Sequence, residues 1–168
     1  MKSEPLQVSG AVFLDVSLAT FDGRSMETWR FLVDTGATRT TVPKRFLVKL
    51  LGYTEEFIQS HKILLSEKDK PTMADGNKAD LYKVKAPRMN ISGHEIQNDY
   101  ILTSDSVTSL NSLLGLDILS YFNFSFNFDA TDIDAPHGKL LYEFRQSRLK
   151  PYTKLDEPFA YKLNDSSE

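Results

Sequence analysis

The sequence of 168 residues contains no cysteine and few histidines. The absence of cysteine excludes disulfides, thiolate zinc sites, iron–sulfur clusters and a cysteine nucleophile. The three histidines, His61, His94 and His137, are widely scattered along the chain. A metal site built from histidine is therefore not expected.

Long apolar runs and an excess of charge of one sign are also missing. No stretch of about 18 apolar residues occurs, so no segment is expected to span a membrane. Lys and Arg number 20 against 23 for Asp and Glu, a net charge of −3, which argues against broad nucleic-acid binding. The first apolar stretch follows Glu4 and is broken by Asp15, which is not typical of a secretory signal. We therefore expect a cytoplasmic protein with neither a membrane nor a nucleic acid as its partner.

The length predicts one globular domain, because domains average about 150 residues and a chain of this size buries roughly two thirds of its unfolded surface. We place this domain at residues 1–145. Residues 146–168 are polar and contain Pro151 and Pro158, which predicts a C-terminal tail.

The hydrophobic pattern of the first third of the chain has the period of two that is typical of strands. Apolar and polar residues alternate over 12–19, and residues 28–33 form the second arm of a hairpin that leads into an acidic loop. A short helix is predicted over 43–51, because Pro43 is tolerated at the first helical position and Gly52 suits the end of the helix.

Hairpins dominate the middle of the chain. A short strand is predicted at 61–65, and the turn residues of 73–78 predict the tip of a hairpin. A long arm over 79–91 then turns at 92–94 and returns through residue 102, which gives a second hairpin.

The last part of the domain combines a short helix with strands. Residues 112–122 predict a buried strand that breaks at Gly115 into one or two helical turns. Phe124, Phe126 and Phe128 alternate with polar residues, which predicts a strand whose aromatic face belongs to the core. Residues 139–144 are expected to pair with this strand.

The informative segment is Phe31-Leu32-Val33-Asp34-Thr35-Gly36-Ala37. Three apolar residues place Asp34 at the end of a buried strand, where an ionised carboxylate is costly unless it accepts hydrogen bonds. Gly36 allows backbone N–H groups to approach that carboxylate. Asp-Thr-Gly alone is more typical of an ordinary turn in a β protein, since Asp and Gly are common turn residues.

The segment and its surroundings resemble the signature of the retropepsin-like aspartic proteases, which is two apolar residues followed by Asp-Thr-Gly-Ala. The order of features agrees over roughly residues 12–144: signature loop, short helix, glycine-tipped hairpin at 74–76, second hairpin through Gly93, then Leu113-Leu114-Gly115 before an apolar helix. The resemblance implies an all-β fold, the retropepsin-like acid protease β-barrel with one or two short helices. It also implies an aspartic endopeptidase that needs no metal or organic cofactor.

The signature occurs once, and this bears on quaternary structure. Aspartic proteolysis uses two carboxylates that share a proton, and the chain has no second Asp-Thr-Gly or Asp-Ser-Gly. The resemblance therefore implies a homodimer in which Asp34 of each subunit contributes half of the site and a polypeptide substrate lies across the interface. Asp34 is the candidate catalytic residue.

The family resemblance implies roles for further residues. Thr35, Gly36 and Ala37 would form the active-site loop, with Thr35 bonded to its counterpart across the dimer. The flap that covers the substrate would have its tip at Ala74, Asp75, Gly76 and Asn77, although Gly76 equally suits an ordinary hairpin turn. Leu113, Leu114 and Gly115 would support the catalytic loop from below.

Two other classes of function stay open. A retropepsin-fold module could bind an extended peptide by strand addition, or act in dimerisation, without cleaving anything. A structural β-barrel domain is the third hypothesis. An intact Asp-Thr-Gly favours the enzyme, because a binding module does not need a costly carboxylate at the end of a buried strand. Asp117 is interpreted as a solvated or helix-capping residue.

Overall fold

The computed structural model describes residues 1–72, 75–106, 110–129 and 131–145, and the predicted tail at 146–168 lies outside them. Most of the described elements are short strands, accompanied by a few short helices. The all-β class is therefore confirmed. The strands are β1 (Lys2–Pro5), β2 (Phe13–Ala19), β3 (Met26–Val33), β4 (Ile63–Leu64), β5 (Tyr82–Lys85), β6 (Met89–Ile91), β7 (His94–Ile96), β8 (Tyr100–Thr103), β9 (Leu113–Leu114), β10 (Phe122–Asn127) and β11 (Lys139–Phe144). The helices are α1 (Lys44–Lys49), α2 (Glu55–His61) and α3 (Leu116–Leu119), with a 3₁₀ turn at Glu67–Asp69.

Hydrogen bonding arranges these strands in three sheets. The largest has the order β7-β6-β2-β3-β9, and two three-stranded sheets have the orders β4-β5-β8 and β1-β11-β10. The described strand pairs are antiparallel except for β3 and β9, which run parallel. In none of the described helices is the apolar stretch long enough to cross a bilayer.

Strand β2 is the centre of the largest sheet and follows the predicted pattern. Leu14, Val16 and Leu18 are buried, while Asp15 is exposed between them. Alternate side chains of a strand point to opposite faces, so this pattern directs one face of β2 into the core. Strands β3 and β6 pair with β2 on its two sides.

Residues 40–42 connect the largest sheet with the β4-β5-β8 sheet. The N–H of Thr41 donates to the carbonyl of Leu113 in β9 at 3.0 Å, and the N–H of Val42 donates to the carbonyl of Leu102 in β8 at 2.9 Å. In return, the N–H of Leu102 donates to the carbonyl of Thr40 at 2.9 Å. The far end of the loop that follows β3 is thereby held by both sheets.

The main core lies between the sheets and the first two helices. Its largest fully buried side chains come from β2, β3, the later strands, the three helices and the connection between α1 and α2. They include Leu14, Leu18, Phe31, Leu47, Leu51, Tyr53, Ile58, Met89, Ile91, Ile101, Leu114 and Ile118. Burial of this apolar area is the main contribution to folding.

Two predictions from the middle of the chain were wrong in part. The long arm at 79–91 is divided into β5 and β6, which belong to different sheets. Pro87 lies in the break, where a residue without an N–H cannot continue the ladder. The strand predicted at 61–65 is present as β4 at Ile63–Leu64, but His61 is the last residue of α2, a helix that the sequence analysis did not predict. The sequence did hold a signal for α2, since the Thr54 hydroxyl caps it by accepting the Phe57 N–H at 3.0 Å.

The aromatic face of β10 was also only partly predicted. Phe122 is buried, but Phe126 is 50% and Phe128 is 72% exposed, and these two rings stack on each other at 6.0 Å between centroids. Strand β10 is at the edge of its sheet. The alternation identified which side chains share a face, but it carries no information on how far along that face the core extends.

Candidate active site

Asp34 directly follows β3, and the parallel pairing of β3 with β9 fixes its backbone. The N–H of Leu32 donates to the carbonyl of Ser112 at 2.9 Å, and the N–H of Asp34 donates to the carbonyl of Leu114 at 3.0 Å. The side chain of Asp34 is half-buried. Two paired strands therefore present this carboxylate at the point where both of them end.

The turn after Asp34 folds back onto its carboxylate. The N–H of Gly36 donates to Oδ1 of Asp34 at 3.0 Å, and the N–H of Ala37 donates to its carbonyl at 3.2 Å. A Cβ atom at residue 36 would lie 3.3 Å from Oδ1. Glycine is thus favoured here by the close approach of backbone to carboxylate. Thr35 is exposed at the outside of the turn, and nothing in the single chain tests the bond predicted across a dimer.

The candidate active-site loop continues from residues 35–37 to Thr40, and Gly115 lies where this loop contacts the start of α3. A Cβ atom at residue 115 would lie only 2.5 Å from the carbonyl carbon of Arg39, which real Cβ atoms do not tolerate. The N–H of Gly115 also donates to the hydroxyl of the fully buried Thr40 at 3.1 Å. Leu114 is fully buried beneath the loop, whereas Leu113 is half-buried and lines the cleft.

Asp117 anchors the far end of the active-site loop, a role that the sequence analysis missed. One carboxylate oxygen, Oδ1, accepts the N–H of Thr40 at 3.0 Å and its hydroxyl at 2.8 Å. The other, Oδ2, accepts the side-chain amide of Asn98 at 2.9 Å. Asp117 lies in the first turn of α3, where Oδ1 also accepts the N–H of Ile118 at 2.9 Å, but the N-cap residue of this helix is Gly115. Its side chain is half-buried, so the interpretation as a solvated or helix-capping residue missed its main contacts. The sequence showed only an acidic residue in the first turn of the helix after Leu113-Leu114-Gly115, and this does not identify its partner.

A cleft of about 910 Å³ opens above Asp34. Its floor contains the active-site loop and Leu113, and its walls come from β5, β8 and the chain between β4 and Thr72. Apolar side chains in the walls are Leu65, Leu81, Leu102 and Leu110. A cleft of this size, with apolar walls and a carboxylate at its floor, has the general make-up of a ligand-binding site.

The described residues of the predicted flap tip, 75–77, form a tight turn, and none of them lines this cleft. Gly76 has φ +86°, and the carboxylate of Asp75 accepts the N–H of Asn77 at 2.9 Å. Thr72 and Lys78 form a bridge at the base of the turn. Ala74 lies outside the described residues. The flap role of these residues stays a prediction, since the described cleft is bounded by the hairpin below its tip.

Positive side chains surround the cleft. Arg39, Lys68, Lys70 and Lys83 line it, against the carboxylates of Asp34 and Asp69 among its described residues. Lys70 is engaged with Glu67 at 2.9 Å. The hydroxyl of Ser66 donates to Asp69 at 2.6 Å.

A polar cluster around Asp105 fastens the helices to β5 behind the cleft. Burial works against the ionised form, but hydrogen bonds from Lys44, Tyr82 and Gln59 outweigh it and hold the pKa of the Asp105 carboxyl well below its usual range. Burial, and then the 2.6 Å bond to Asp105, raises the pKa of the Tyr82 phenol well above its usual value. The Asp105 carboxyl is therefore ionised and the Tyr82 phenol is neutral near neutral pH.

No group of three or more acidic, histidine or cysteine side chains that could hold a metal occurs in the described ranges.

Comparison with known proteins gave a structural likeness but no sequence match. No family model matches the chain, and no curated protein matches it. Among solved structures, a retropepsin-like aspartic protease from Rickettsia conorii is similar at 17% sequence identity and a TM-score of 0.49. The alignment covers 86% of this chain and 91% of that one.

Proposed function

We propose that the protein is an aspartic endopeptidase that hydrolyses extended polypeptides, with a site completed by Asp34 of a second copy. The observation that carries the proposal is the position of Asp34. It stands at the shared end of two parallel strands, accepts the Gly36 N–H at 3.0 Å and lies at the floor of the cleft. A carboxylate held in this way by a backbone donor keeps a fixed orientation toward a bound substrate.

The chemistry needs two such carboxylates. Placed a few ångströms apart across a C2 axis, they repel each other as anions, so the pair retains one proton. The ionised member acts as general base toward a water molecule, and the protonated member donates to the carbonyl oxygen of the scissile bond. The water oxygen bonds to the carbonyl carbon. The resulting tetrahedral intermediate then breaks its C–N bond as the nitrogen takes up a proton.

The exposed outer face of the loop suits such a dimer. Thr35 and Gly36 are exposed in the single chain, although they follow β3, in which Phe31 is buried and the last two residues are half-buried. A symmetric contact through this face would bring two Asp34 side chains together and would make the cleft continuous across the interface.

Peptide cleavage by the wild type and by Asp34→Asn tests the proposal. Incubation with a mixed peptide library and analysis of the products by mass spectrometry should show internal cleavage with the wild type and none with the variant. Asp134→Asn is the matched control, because it changes an exposed carboxylate of the β10–β11 loop by the same atom. Cleavage retained by Asp34→Asn would refute the role of Asp34. Peptide binding without cleavage by the wild type would favour a binding module instead.

A further inference from the structure

A second depression, of about 670 Å³, adjoins the cleft. The two share Thr38, Arg39 and Lys83 in their linings, so they are continuous along one side of the active-site loop. Away from the cleft, the second depression reaches Tyr100 and Tyr121. A side chain of a peptide bound along the cleft can enter it without leaving the protein surface.

Two cations stand at the junction without ionic partners. Arg39 and Lys83 are both half-buried, and neither forms an ion pair with any of the residues described in the structure. The Lys83 ammonium lies 5.8 Å from the centre of the Tyr100 ring. Lys44 and Lys70, in contrast, are each engaged with carboxylates of the chain. A partly desolvated cation gains most from an anionic partner that enters the same site.

The carboxylates that line the depression do not cancel the attraction of Arg39 and Lys83 for an anionic side chain. Asp117 is committed to Thr40 and Asn98 through the hydrogen bonds described above. Asp99 also lines the depression, so its total charge is close to balanced. We therefore expect recognition of a single acidic side chain in one position, rather than a general attraction for negatively charged peptides.

The position of Arg39 is also fixed. Its backbone packs against Gly115, where no Cβ atom would fit, and the next residue is held by Asp117. A guanidinium carried on a fixed backbone can present two parallel N–H groups to a carboxylate.

We propose that this depression is a substrate subsite for an acidic side chain, and that Arg39 recognises its carboxylate with Lys83 as the second cation. The inference rests on the proposed endopeptidase function and names the substrate class, which is a peptide with Glu or Asp at a defined distance from the scissile bond.

The test compares octapeptides that carry Glu, Gln or Lys at each position in turn around one cleavage site. For the wild type, kcat/KM should be higher for Glu than for Gln at one position by on the order of tenfold, as a charge-assisted bond in a partly exposed site provides. Raising the salt concentration to about 1 M should reduce this ratio, because the Debye length falls to about 3 Å.

Variants assign the preference to its residues. Arg39→Met should bring the Glu-to-Gln ratio close to one, Lys83→Met should lower it in part, and Arg39→Glu should favour Lys instead. Arg45→Met is the matched control, because it removes an exposed cation of α1 that lines neither depression, and it should keep the wild-type ratio. A wild-type enzyme that cleaves Glu and Gln peptides equally at every position would overturn the subsite.

A binding measurement separates failure of the subsite from failure of the protease. Fluorescently labelled Glu and Gln peptides are titrated with Asp34→Asn, alone and combined with Arg39→Met, and followed by anisotropy. Tighter binding of the Glu peptide that disappears with Arg39→Met supports the subsite even if the wild type cleaves nothing. Equal binding of both peptides, or no binding of either, contradicts it.

Discussion

The carboxylate of Asp117 accepts both the N–H and the hydroxyl of Thr40, at 3.0 Å and 2.8 Å. The two residues are far apart in sequence, and Thr40 is completely buried. This contact ties the end of the active-site loop to the first turn of α3. It thereby links the orientation of the segment that carries Asp34 to the packing of a helix outside the cleft.

Replacing Asp117 should therefore affect stability as well as activity. Asp117→Ala leaves the buried N–H and hydroxyl of Thr40 without their acceptor, and we expect a loss of about 2–4 kcal/mol in the free energy of unfolding, since each orphaned buried group costs about 1–3 kcal/mol. Urea denaturation followed by circular dichroism measures it. Asp134→Ala, in the exposed β10–β11 loop, is the control. An unchanged midpoint for Asp117→Ala would show that the contact carries little energy.

A methyl group at residue 115 should disturb the same junction. In Gly115→Ala the Cβ atom would meet the backbone of Arg39 at 2.5–2.8 Å, so the loop or α3 must shift, at a cost of about 1–3 kcal/mol. Peptide cleavage should fall further than stability alone explains, because the loop that shifts also carries Asp34.

Gly76→Ala is the informative comparison for Gly115→Ala. Residue 76 has open space around it but a φ of +86°, so the substitution costs about 1 kcal/mol through backbone strain alone. Thermal unfolding and kcat/KM of both variants give the contrast. Equal losses of stability for the two would contradict the close packing at residue 115.

Subunit mixing tests whether one chain carries half a site. When wild type is mixed with an equal amount of Asp34→Asn under subunit exchange, random pairing leaves about one quarter of the dimers fully wild type. Activity per total protein should therefore fall to about a quarter of its value for pure wild type. Sites contained in single chains would leave about half. Specific activity should also decline on dilution below the dissociation constant of the dimer.

The low pKa of Asp105 makes a prediction about acid stability. A carboxyl whose pKa is lower in the folded than in the unfolded protein contributes stability above its unfolded pKa of about 3.9, and loses that contribution as the pH falls toward the folded pKa. Asp105→Asn should be about 1–2 kcal/mol less stable than wild type at pH 7, through the bonds to Lys44 and Tyr82.

The difference between the two proteins should shrink below about pH 4, because the unfolded wild-type chain then takes up a proton at Asp105 that the folded protein binds only at lower pH. Urea denaturation of both proteins at pH 7 and pH 3 measures it. A difference that stays constant or grows on acidification would show that the ionised form of Asp105 is not what the cluster stabilises.

Local patterns in the sequence determined much of the fold. The alternation of Leu14, Val16 and Leu18 was sufficient to predict β2, since the period of side chains along a strand depends only on the backbone. The turn at 92–94 was predictable for a different local reason. Glycine favours turns that need a positive φ, and Gly93 adopts one. The placement of Asp34 at the end of β3 followed from the three apolar residues before it.

Only the tertiary structure decided which distant residues meet. Nothing local to Asp117 indicates that its carboxylate faces Thr40, and nothing local to Arg39 indicates that it packs on Gly115 and shares two depressions with Lys83. These contacts depend on the parallel pairing of β3 with β9, which joins segments about eighty residues apart. The exposure of Phe126 and Phe128 was likewise decided by where the core ends along β10. Sequence periodicity specifies the face on which a residue lies, whereas the packing of whole elements specifies what that face contacts.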